Sequence, residues 1–298
     1  MASLRSELAA LRREIEDVAG LSAMALSPTP DRSLPGFANF TSDYLTVQLT
    51  DGRIERMRPE SRFHKWLVPK LDSYHLKRNQ HDCVLAPRDS AKTRWSTFAY
   101  PLYVALHGIE RFTVIISDTD DQACVFLRSI RTELMDNNAI RKDYPNASGR
   151  GPTWRDDFIV LKNGSAIKAL GIDGHIRGRG EGAYRPTLII LDDPQNRDHI
   201  VSPVKRERSW EKVVREIIPA GSPITNYLAL GTALHRECVV CKLQRTAGWH
   251  TTLFKSIEVW PKRLDLWREW ENILHDWNDE GREAKARAYY DAHPEMNE

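Results

Sequence analysis

The segment at residues 85–93, which reads L-A-P-R-D-S-A-K-T, most constrains how this chain can fold. It follows a short apolar run and leads into a helix-forming stretch, so it predicts a strand, a loop and a helix in succession. Loops in that position turn backbone N–H groups and a helix N-terminus toward a polyphosphate. The segment is a variant of the Walker A pattern G-x-x-x-x-G-K-[ST], with Ala86 and Ala91 replacing the glycines and Lys92-Thr93 closing it. By itself the variant is weak, because A-x-x-x-x-A-K-T arises by chance in many proteins.

A second segment, T-L-I-I-L-D-D at residues 187–193, makes the first more specific. Four apolar residues before an acidic pair indicate a buried parallel strand that delivers carboxylates to a site at its end. In a nucleotide hydrolase, Asp192 would hold Mg²⁺ through water and Asp193 would polarise the attacking water. A core strand ending in an acidic turn explains this segment alone about equally well. Together with the Lys-Thr loop upstream, at a spacing that leaves room for a βαβ crossover, it favours a nucleotide hydrolase.

A third segment, Y-L-A-L-G-T-A-L at residues 227–234, contains an apolar strand that ends in Gly231 and Thr232. A small hydroxyl at the carboxyl end of a central strand can sense a γ-phosphate. Gly-Thr is also a common strand-to-loop junction, so the segment counts only as the third member of a series.

Five segments in this order resemble the ATPase half of a tailed-phage terminase large subunit, a family of DNA-packaging motors. They are F-H-K-W-L at 63–67, L-A-P-R-D-S-A-K-T at 85–93, I-I-S-D-T-D-D-Q-A at 115–123, R-P-T-L-I-I-L-D-D at 185–193 and L-G-T-A-L-H at 230–235. The resemblance extends from residue 63 to the C-terminus. It implies a viral motor domain that hydrolyses ATP to translocate double-stranded DNA into a procapsid.

The chain departs from the family pattern at three places. Family members carry an arginine early in the phosphate loop, which Arg88 matches, but they usually have Gly or Gly-His where this chain has Asp89 and Ser90. They often have Gly at the position of Ala91, and their catalytic acid is usually Glu where this chain has Asp193. We expect these departures to affect the rate of hydrolysis more than its nature.

Strands that alternate with helices predict an α/β fold with a parallel sheet and a ligand at the carboxyl ends of its strands. The resemblance adds a RecA-like P-loop (ASCE-type), mostly parallel sheet flanked by helices, with an N-terminal helix and a C-terminal helical lid. It places the strand ending in Gly231-Thr232 between the phosphate-loop strand and the acidic-pair strand. The expected divisions are an N-terminal helix and connector at 1–60, a P-loop ATPase core at 61–260 and a lid or linker at 261–298. The nuclease domain that follows in the family is missing from this sequence, and we expect it to have been removed or to lie elsewhere.

Five local patterns complete the prediction. Residues 2–18 are amphipathic and residues 27–35 form a proline-rich connector, while Pro101 should kink or end the helix that follows Lys92. Asn163-Gly164 predicts the tip of a hairpin. A stripe of Trp267, Trp270 and Trp277 predicts the packed face of a C-terminal helix.

The mechanism that these segments imply is Mg²⁺-dependent hydrolysis of ATP by in-line attack of water. Thr93 and Asp192 would hold the metal, Asp193 would orient the water, and Thr232 would couple loss of the γ-phosphate to movement of the lid. Arg88 would bond a phosphate or signal its presence, and His64 or Trp66 would abut the adenine, although a packed helix face explains F-H-K-W-L almost as well. The full expected ATP-binding set is Ala86, Pro87, Arg88, Asp89, Ser90, Ala91, Lys92, Thr93, His64 and Trp66.

A glycine- and arginine-rich loop, G-H-I-R-G-R-G-E-G-A-Y-R-P, occupies residues 174–186. It is too polar for a core, so we expect it at the surface near the nucleotide. Arg177, Arg179 or Arg185 would contact phosphate, either of ATP in a neighbouring subunit or of DNA. A flexible solvated loop is the alternative.

Charge and cysteine content limit which partners and which cellular compartment the sequence predicts. Lysine and arginine number 43 against 41 aspartate and glutamate, a net charge of +2, so any DNA contact must be a local patch. The Cys238-Val-Val-Cys241 motif is better explained by packed thiols than by a zinc site. Without a signal peptide or a run of 18 apolar residues, we expect no membrane association and an intracellular protein, in the host cytoplasm if phage-encoded. The resemblance further implies a homo-oligomeric ring, a portal protein and a small terminase subunit as partners.

Two other functions remain open at this point. A P-loop helicase or another DNA translocase uses the same chemistry, but this sequence lacks the second, arginine-bearing RecA-like domain of such helicases. A hydrolysis-deficient assembly or DNA-docking module would explain the loss of both loop glycines and the shorter acid at Asp193.

Overall fold

The computed structural model of the protein describes residues 36–48, 52–176, 185–257 and 259–297. The described residues up to Phe254 form one compact unit, and those from Lys255 onward form a second. The expected helix at 2–18, the connector at 27–35, Arg177 and Arg179 lie outside the described residues. The expected divisions after residues 60 and 260 stay predictions.

An eight-stranded sheet organises the first unit, after a small antiparallel pair made by β1 (Thr46–Gln48) and β2 (Ile54–Arg56). The sheet strands in chain order are β3 (His81–Leu85), β4 (Phe112–Ser117), β5 (Thr153–Trp154), β6 (Phe158–Val160), β7 (Ala166–Gly171), β8 (Leu188–Asp192), β9 (Asn226–Gly231) and β10 (His250–Leu253). Their order across the sheet is β10-β3-β9-β8-β4-β7-β6-β5, and all neighbours are parallel up to β7. The predicted α/β fold with a mostly parallel sheet is therefore confirmed, and β9 lies between β3 and β8 as expected.

The central strands are apolar because both faces of the sheet are covered by helices. Every residue of β4, β8 and β9 is buried. Alternate residues enter two separate cores: Ile115 and Ile190 pack on one side of the sheet, and Ile116 and Ile189 pack on the other. Because the strands from β10 to β7 run parallel, their carboxyl ends lie at a single edge of the sheet.

Nine α-helices belong to the described part of the first unit. They are α1 (Phe37–Tyr44), α2 (Arg62–Asp72), α3 (Tyr100–Leu106), α4 (Asp120–Asp136), α5 (Asn138–Asp143), α6 (Arg197–Val201), α7 (Pro203–Lys212), α8 (Ile218–Ala220) and α9 (Val239–Gln244). Side-chain caps fix several starts: the Ser61 hydroxyl accepts from the His64 N–H at α2, and the Thr119 hydroxyl accepts from the Gln122 N–H at α4.

The helix after Lys92 does not end at Pro101, which was one of the two predicted outcomes. Instead its first part, Arg94–Ala99, is wound as a π-helix and continues directly into α3. The Tyr100 N–H bonds to the carbonyl of Trp95, five residues back. Pro101 has no N–H for the carbonyl four residues earlier and its ring would clash there, so a wider turn just before it relieves both problems. The same arrangement recurs where the π-helical segment Val213–Ile217 precedes Pro219 in α8.

The hairpin prediction is confirmed. Strands β6 and β7 pair antiparallel around Asn163 and Gly164, and Gly164 adopts a φ of +85° that favours glycine. Asn163 also anchors the tip, because its side-chain amide donates to the carbonyl of Ala105 at 2.7 Å.

The second unit contains α10 (Leu264–Leu274), α11 (Arg282–Ala292) and a short 3₁₀ turn, Pro294–Asn297. The Trp267 indole N–H donates to the carbonyl of Met296 at 2.7 Å, and its ring contacts Trp270 edge-on. The prediction for Trp277 was wrong: it lies beyond the end of α10, is 76% exposed, and carries the guanidinium of Arg282 over its ring. Across the described ranges, no helix combines the length and the apolar character that crossing a bilayer requires.

Candidate functional site

The carboxyl ends of β3, β9, β8 and β4 meet at one edge of the sheet and open into a cleft of about 690 Å³. A crevice at the carboxyl ends of parallel strands is the usual ligand site of an open α/β sheet. Five of the predicted site residues line this cleft together: Arg88, Thr93, Asp192, Asp193 and Thr232. The volume lies within the range of small-molecule sites in proteins.

The loop after β3 has a strained backbone. Asp89 and Ala91 have φ values of +60° and +53°, in the left-handed region that costs a residue with a Cβ about 1–2 kcal/mol. The backbone at Ala91 therefore has a conformation that favours the second glycine of the pattern. Ala86 is different, since it has no positive φ and its N–H bonds to the carbonyl of Gly231. Only one of the two lost glycines thus stands where the backbone favours glycine.

Lys92 is buried and connects the loop to the neighbouring strands. Its ammonium donates to the carbonyls of Ala86 and Pro87 at 3.3 and 3.0 Å and to the hydroxyl of Thr232 at 3.2 Å. It also lies 3.8 Å from a carboxylate oxygen of Asp193. One cation thereby contacts the ends of β3, β8 and β9.

Asp192 is a buried carboxylate with only one of its two oxygens paired. Its Oδ2 accepts from the Thr97 hydroxyl at 2.7 Å, whereas the buried Oδ1 has no hydrogen-bond partner. Burial raises the pKa of Asp192 to about 6, although the nearby hydroxyls of Thr97 and Thr93 act in the opposite direction. An unpaired oxygen on a buried carboxylate is costly unless it meets a donor or a cation.

Asp193 is the more exposed acid and faces the cleft. It has a φ of +41°, and its Oδ1 accepts from the backbone N–H of Thr232 at 2.9 Å. Gly231 leaves space for this contact: a Cβ there would lie 3.3 Å from the same Oδ1 and 2.8 Å from a methyl group of Val240. The glycine of the predicted Gly-Thr pair therefore permits close packing at the end of β9.

Arg88 and Arg185 have different surroundings. Arg88 is exposed at the cleft and has no hydrogen-bond or ion-pair partner among the described residues. Arg185 precedes the amino end of β8, and its guanidinium donates to the carbonyl of Gly221 at 2.7 Å. Arg185 is thus placed at the opposite edge of the sheet from the cleft.

The two aromatic residues predicted to abut adenine lie behind the loop. The His64 Nε2–H donates to the carbonyl of Ser90 at 3.0 Å, and its ring packs on Trp95 with centroids 5.1 Å apart. Burial lowers the pKa of His64 despite the hydrogen bond to Ser90, which raises it. Trp66 contacts Phe254 edge-on. Neither residue is among those that line the cleft, and a contact with adenine stays a prediction.

Four further residues belong to the site but were not singled out from the sequence. They are Thr97, which bonds Asp192; Ser117 and Asp118, at the end of β4; and Gln195, whose Oε1 accepts from the Val239 N–H at 2.7 Å. The Ser117 hydroxyl lies 3.3 Å from the carbonyl of Asp192. A signal existed for two of them, because Ser-Asp ends one apolar run as Asp-Asp ends another.

The described residues contain no group of three or more His, Cys, Asp or Glu side chains that could hold a metal ion. A metal that takes most of its ligands from protein is therefore not supported in this part of the chain. Mg²⁺ commonly binds through one or two protein oxygens, with water and substrate phosphates completing its shell. The unpaired Oδ1 of Asp192 and the nearby hydroxyl of Thr93 fit that requirement.

The thiols near the site are packed groups. Cys83, Cys238 and Cys241 are buried and free, and the Cys83 thiol lies 3.3 Å from the carbonyl of Val240. Burial raises the pKa of Cys83 to about 12, which keeps the thiol protonated and unreactive.

No protein-family model matches this sequence, and a search of curated proteins finds no similar one.

Proposed function

We propose that this chain is an Mg²⁺-dependent ATPase with a RecA-like P-loop fold, and that it drives double-stranded DNA into a procapsid as the motor part of a terminase. The observation that carries the proposal is the unpaired, buried oxygen of Asp192 beside Thr93. The strand order β10-β3-β9-β8-β4 supports the RecA-like assignment, because it brings the loop, the acidic pair and Thr232 to one edge. The sequence order of the five terminase-like segments supports the motor assignment.

ATP binding would begin with an exchange of partners at Lys92. In the structure its ammonium bonds to neutral carbonyls and lies near Asp193. A polyphosphate offers stronger, charge-assisted hydrogen bonds in the same region, so the lysine would turn to the β- and γ-phosphates. The N–H groups of residues 88–93 would cradle the phosphates, and Arg88 would reach them from the rim of the cleft.

Hydrolysis would follow from what that exchange releases. Asp193 keeps one oxygen on the Thr232 N–H, and departure of Lys92 frees the other to accept a hydrogen bond from water. Asp193 would thereby orient that water for in-line attack on the γ-phosphorus. Thr93 and Asp192 would hold Mg²⁺, which supplies positive charge to the phosphoryl oxygens when bound. Thr232 touches both Lys92 and Asp193, so it would register loss of the γ-phosphate.

The motor assignment adds partners beyond the nucleotide. A ring of identical subunits would complete each site with an arginine from a neighbour, and Arg177 and Arg179, in the loop that precedes the acidic strand, are the candidates. DNA would be held through its phosphates by a local basic patch, since the whole chain carries a net charge of only +2. A portal protein and a small terminase subunit would be the other partners, in the cytoplasm of an infected host.

Calorimetric titration of the chain with ADP and with a non-hydrolysable ATP analogue, with and without Mg²⁺, tests the nucleotide site. We expect Mg²⁺-enhanced binding that falls at least tenfold in Lys92→Ala, because this side chain would bond two phosphates. Lys142→Ala, at an exposed position on α5, is the matched control and should bind like the parent. If Lys92→Ala bound nucleotide as tightly as the parent, the phosphate-loop assignment would be wrong.

Two observations favour a second candidate function. The strained Ala91 and the engagement of Lys92 with Asp193 both oppose the turnover of a fast ATPase. A hydrolysis-deficient assembly or DNA-docking module would show no Mg²⁺-dependent affinity for nucleotide in the same titration.

A further inference from the structure

The Thr97 hydroxyl donates a hydrogen bond to the carboxylate of Asp192, which lines the cleft. This hydroxyl lies 2.7 Å from Asp192 Oδ2, and both residues are almost entirely buried, with exposures of 0% and 1%. A carboxylate oxygen accepts, so the threonine hydroxyl is the donor. Thr97 lies on the π-helical segment that follows the phosphate loop, four residues after Thr93.

The neighbouring hydroxyl has a separate task, which leaves Thr97 dedicated to Asp192. Ser96 donates its only hydroxyl hydrogen to the carbonyl of Lys92 at 2.7 Å. The two hydroxyl oxygens approach to 3.3 Å, but each has already given its hydrogen elsewhere. Adjacent side chains of one helical turn therefore hold the backbone of the loop lysine and the carboxylate of the acidic strand.

We propose that Thr97 is a positioning residue for the divalent cation: by holding Asp192 Oδ2, it leaves the unpaired Oδ1 available to the cation. This inference rests on the proposed function. Without the bond, the carboxylate could rotate and its two oxygens would compete for the same place. Groups that orient a metal ligand in this way typically change metal affinity by about 10–100-fold when they are removed.

The π-helical winding explains why a residue inside a helix can serve this site. Pro101 prevents ordinary α-helical bonding to the carbonyl of Thr97, and the segment widens over Arg94–Ala99. Thr97 reaches β8 from this widened turn. π-helical turns occur often at functional sites, where they re-aim side chains.

The test compares Thr97→Val, which keeps the shape and removes the hydroxyl, with Thr97→Ser, which keeps the hydroxyl. The quantity measured is the ratio of ADP dissociation constants in EDTA and in Mg²⁺, obtained by calorimetry. We expect Thr97→Val to reduce this ratio at least tenfold relative to the parent, with ADP affinity in EDTA unchanged within about twofold. Thr97→Ser should restore most of the ratio. Thr113→Val is the matched control, since it removes a buried threonine hydroxyl that has no hydrogen-bond partner in the described part of the chain, near the amino end of β4. Its ratio should stay near that of the parent.

Three results would overturn the inference. Thr97→Val could keep the full Mg²⁺ effect, or lose ADP affinity equally with and without Mg²⁺ as a purely structural residue would. Should Thr97→Val not fold, Thr97→Ala leaves room for water beside Asp192, and an undiminished Mg²⁺ effect in that variant would contradict the role. If the parent binds no ADP under any condition, the proposed function fails as well; if the parent binds and the variants match it, only the role of Thr97 fails.

Discussion

At the scale of single residues, the site depends on how a few buried polar groups are satisfied. Asp192 and Lys92 are both buried, and the Lys92 ammonium is hydrogen-bonded to protein groups. The carboxylate keeps one oxygen without a donor. This unpaired oxygen lowers the free energy of unfolding, and a bound ligand would raise it again. Such a loss of stability is common at functional sites.

This imbalance predicts that Asp192→Asn stabilises the metal-free protein at high pH. The pKa of Asp192 is raised on folding to about 6 from an unfolded value near 3.9, so its contribution to stability is greatest below about pH 4 and is lost as pH rises through 6. Two pKa units correspond to about 3 kcal/mol, an upper value for the gain expected at pH 8, and the gain should shrink toward pH 5. Urea unfolding in EDTA at both pH values measures it.

The exposed Asp136→Asn provides the control and should change the free energy of unfolding by less than about 0.5 kcal/mol at either pH. A gain for Asp192→Asn that is the same at pH 5 and pH 8 would show that ionisation of Asp192 is not the cause.

Several residues of the site were predictable because the ends of buried strands can be recognised in the sequence. Lys92, Asp192, Asp193 and Thr232 follow apolar runs, and parallel strands bring such positions to one edge. Thr97 gave no comparable signal, because a threonine within a helix resembles many others and its partner is distant in sequence. The surroundings of Arg185 were also beyond the sequence, since its bond to Gly221 depends on where a later turn lies.

At the scale of elements, two prolines act in the same way. Pro101 and Pro219 each follow a π-helical segment, Arg94–Ala99 and Val213–Ile217 respectively. A proline in a helical pattern ordinarily predicts an end or a kink, and a local widening is an alternative that periodicity does not reveal. The strands and the hairpin were predictable because their patterns are local; the winding of a helix was not.

Replacement of each proline by alanine separates the two segments. Pro101→Ala restores an N–H, so Arg94–Ala99 can return to α-helical winding and carry Thr97 away from Asp192. We expect this variant to weaken Mg²⁺-dependent ADP binding, by up to the tenfold expected for Thr97→Val. Pro219→Ala alters a segment that does not hold Asp192 and should leave that binding unchanged. If the two substitutions had equal effects in the same titration, the π-helical winding before Pro101 would not be what supports the site.

A buried ion pair at the opposite edge of the sheet joins the starts of several strands. The Arg78 guanidinium bonds both oxygens of Glu110 at 2.6 and 3.0 Å, and it also donates to the carbonyls of Thr187 and Ile224. Glu110 is fully buried. Removal of one partner from such a pair leaves an uncompensated charge in the interior.

Glu110→Gln should therefore lower the free energy of unfolding by about 3–5 kcal/mol, while nucleotide affinity of the folded protein stays within about twofold of the parent. Chemical denaturation gives the first quantity. Asp156→Asn, in the solvent-exposed pair with Arg131, is the matched control and should cost less than about 1 kcal/mol. A small effect at Glu110, equal to that of the control, would mean that Arg78 is held by the carbonyls alone.

At the scale of the whole molecule, the proposed motor would work as an assembly of several subunits. The nearly balanced charge of the chain argues against a surface coated for nucleic acid, so DNA contact would come from a few residues in each of several subunits. Arg88 stands exposed at the rim of the cleft without a partner in the described ranges, available to a phosphate. A site completed by a neighbour would turn over slowly in a dilute monomer, even when it is properly folded.

Steady-state ATP hydrolysis over a series of protein concentrations, for the parent, Asp193→Asn and Lys92→Ala, tests the central claim most directly. We expect parental activity to require Mg²⁺, to rise more steeply than the protein concentration, and to fall by at least a hundredfold in both variants, since one positioned acid–base group contributes roughly 10²–10⁴-fold. Hydrolysis that is unchanged in both variants, or no hydrolysis at any concentration together with unaltered ATP binding in Lys92→Ala, would contradict the assignment of this cleft as a motor ATPase site.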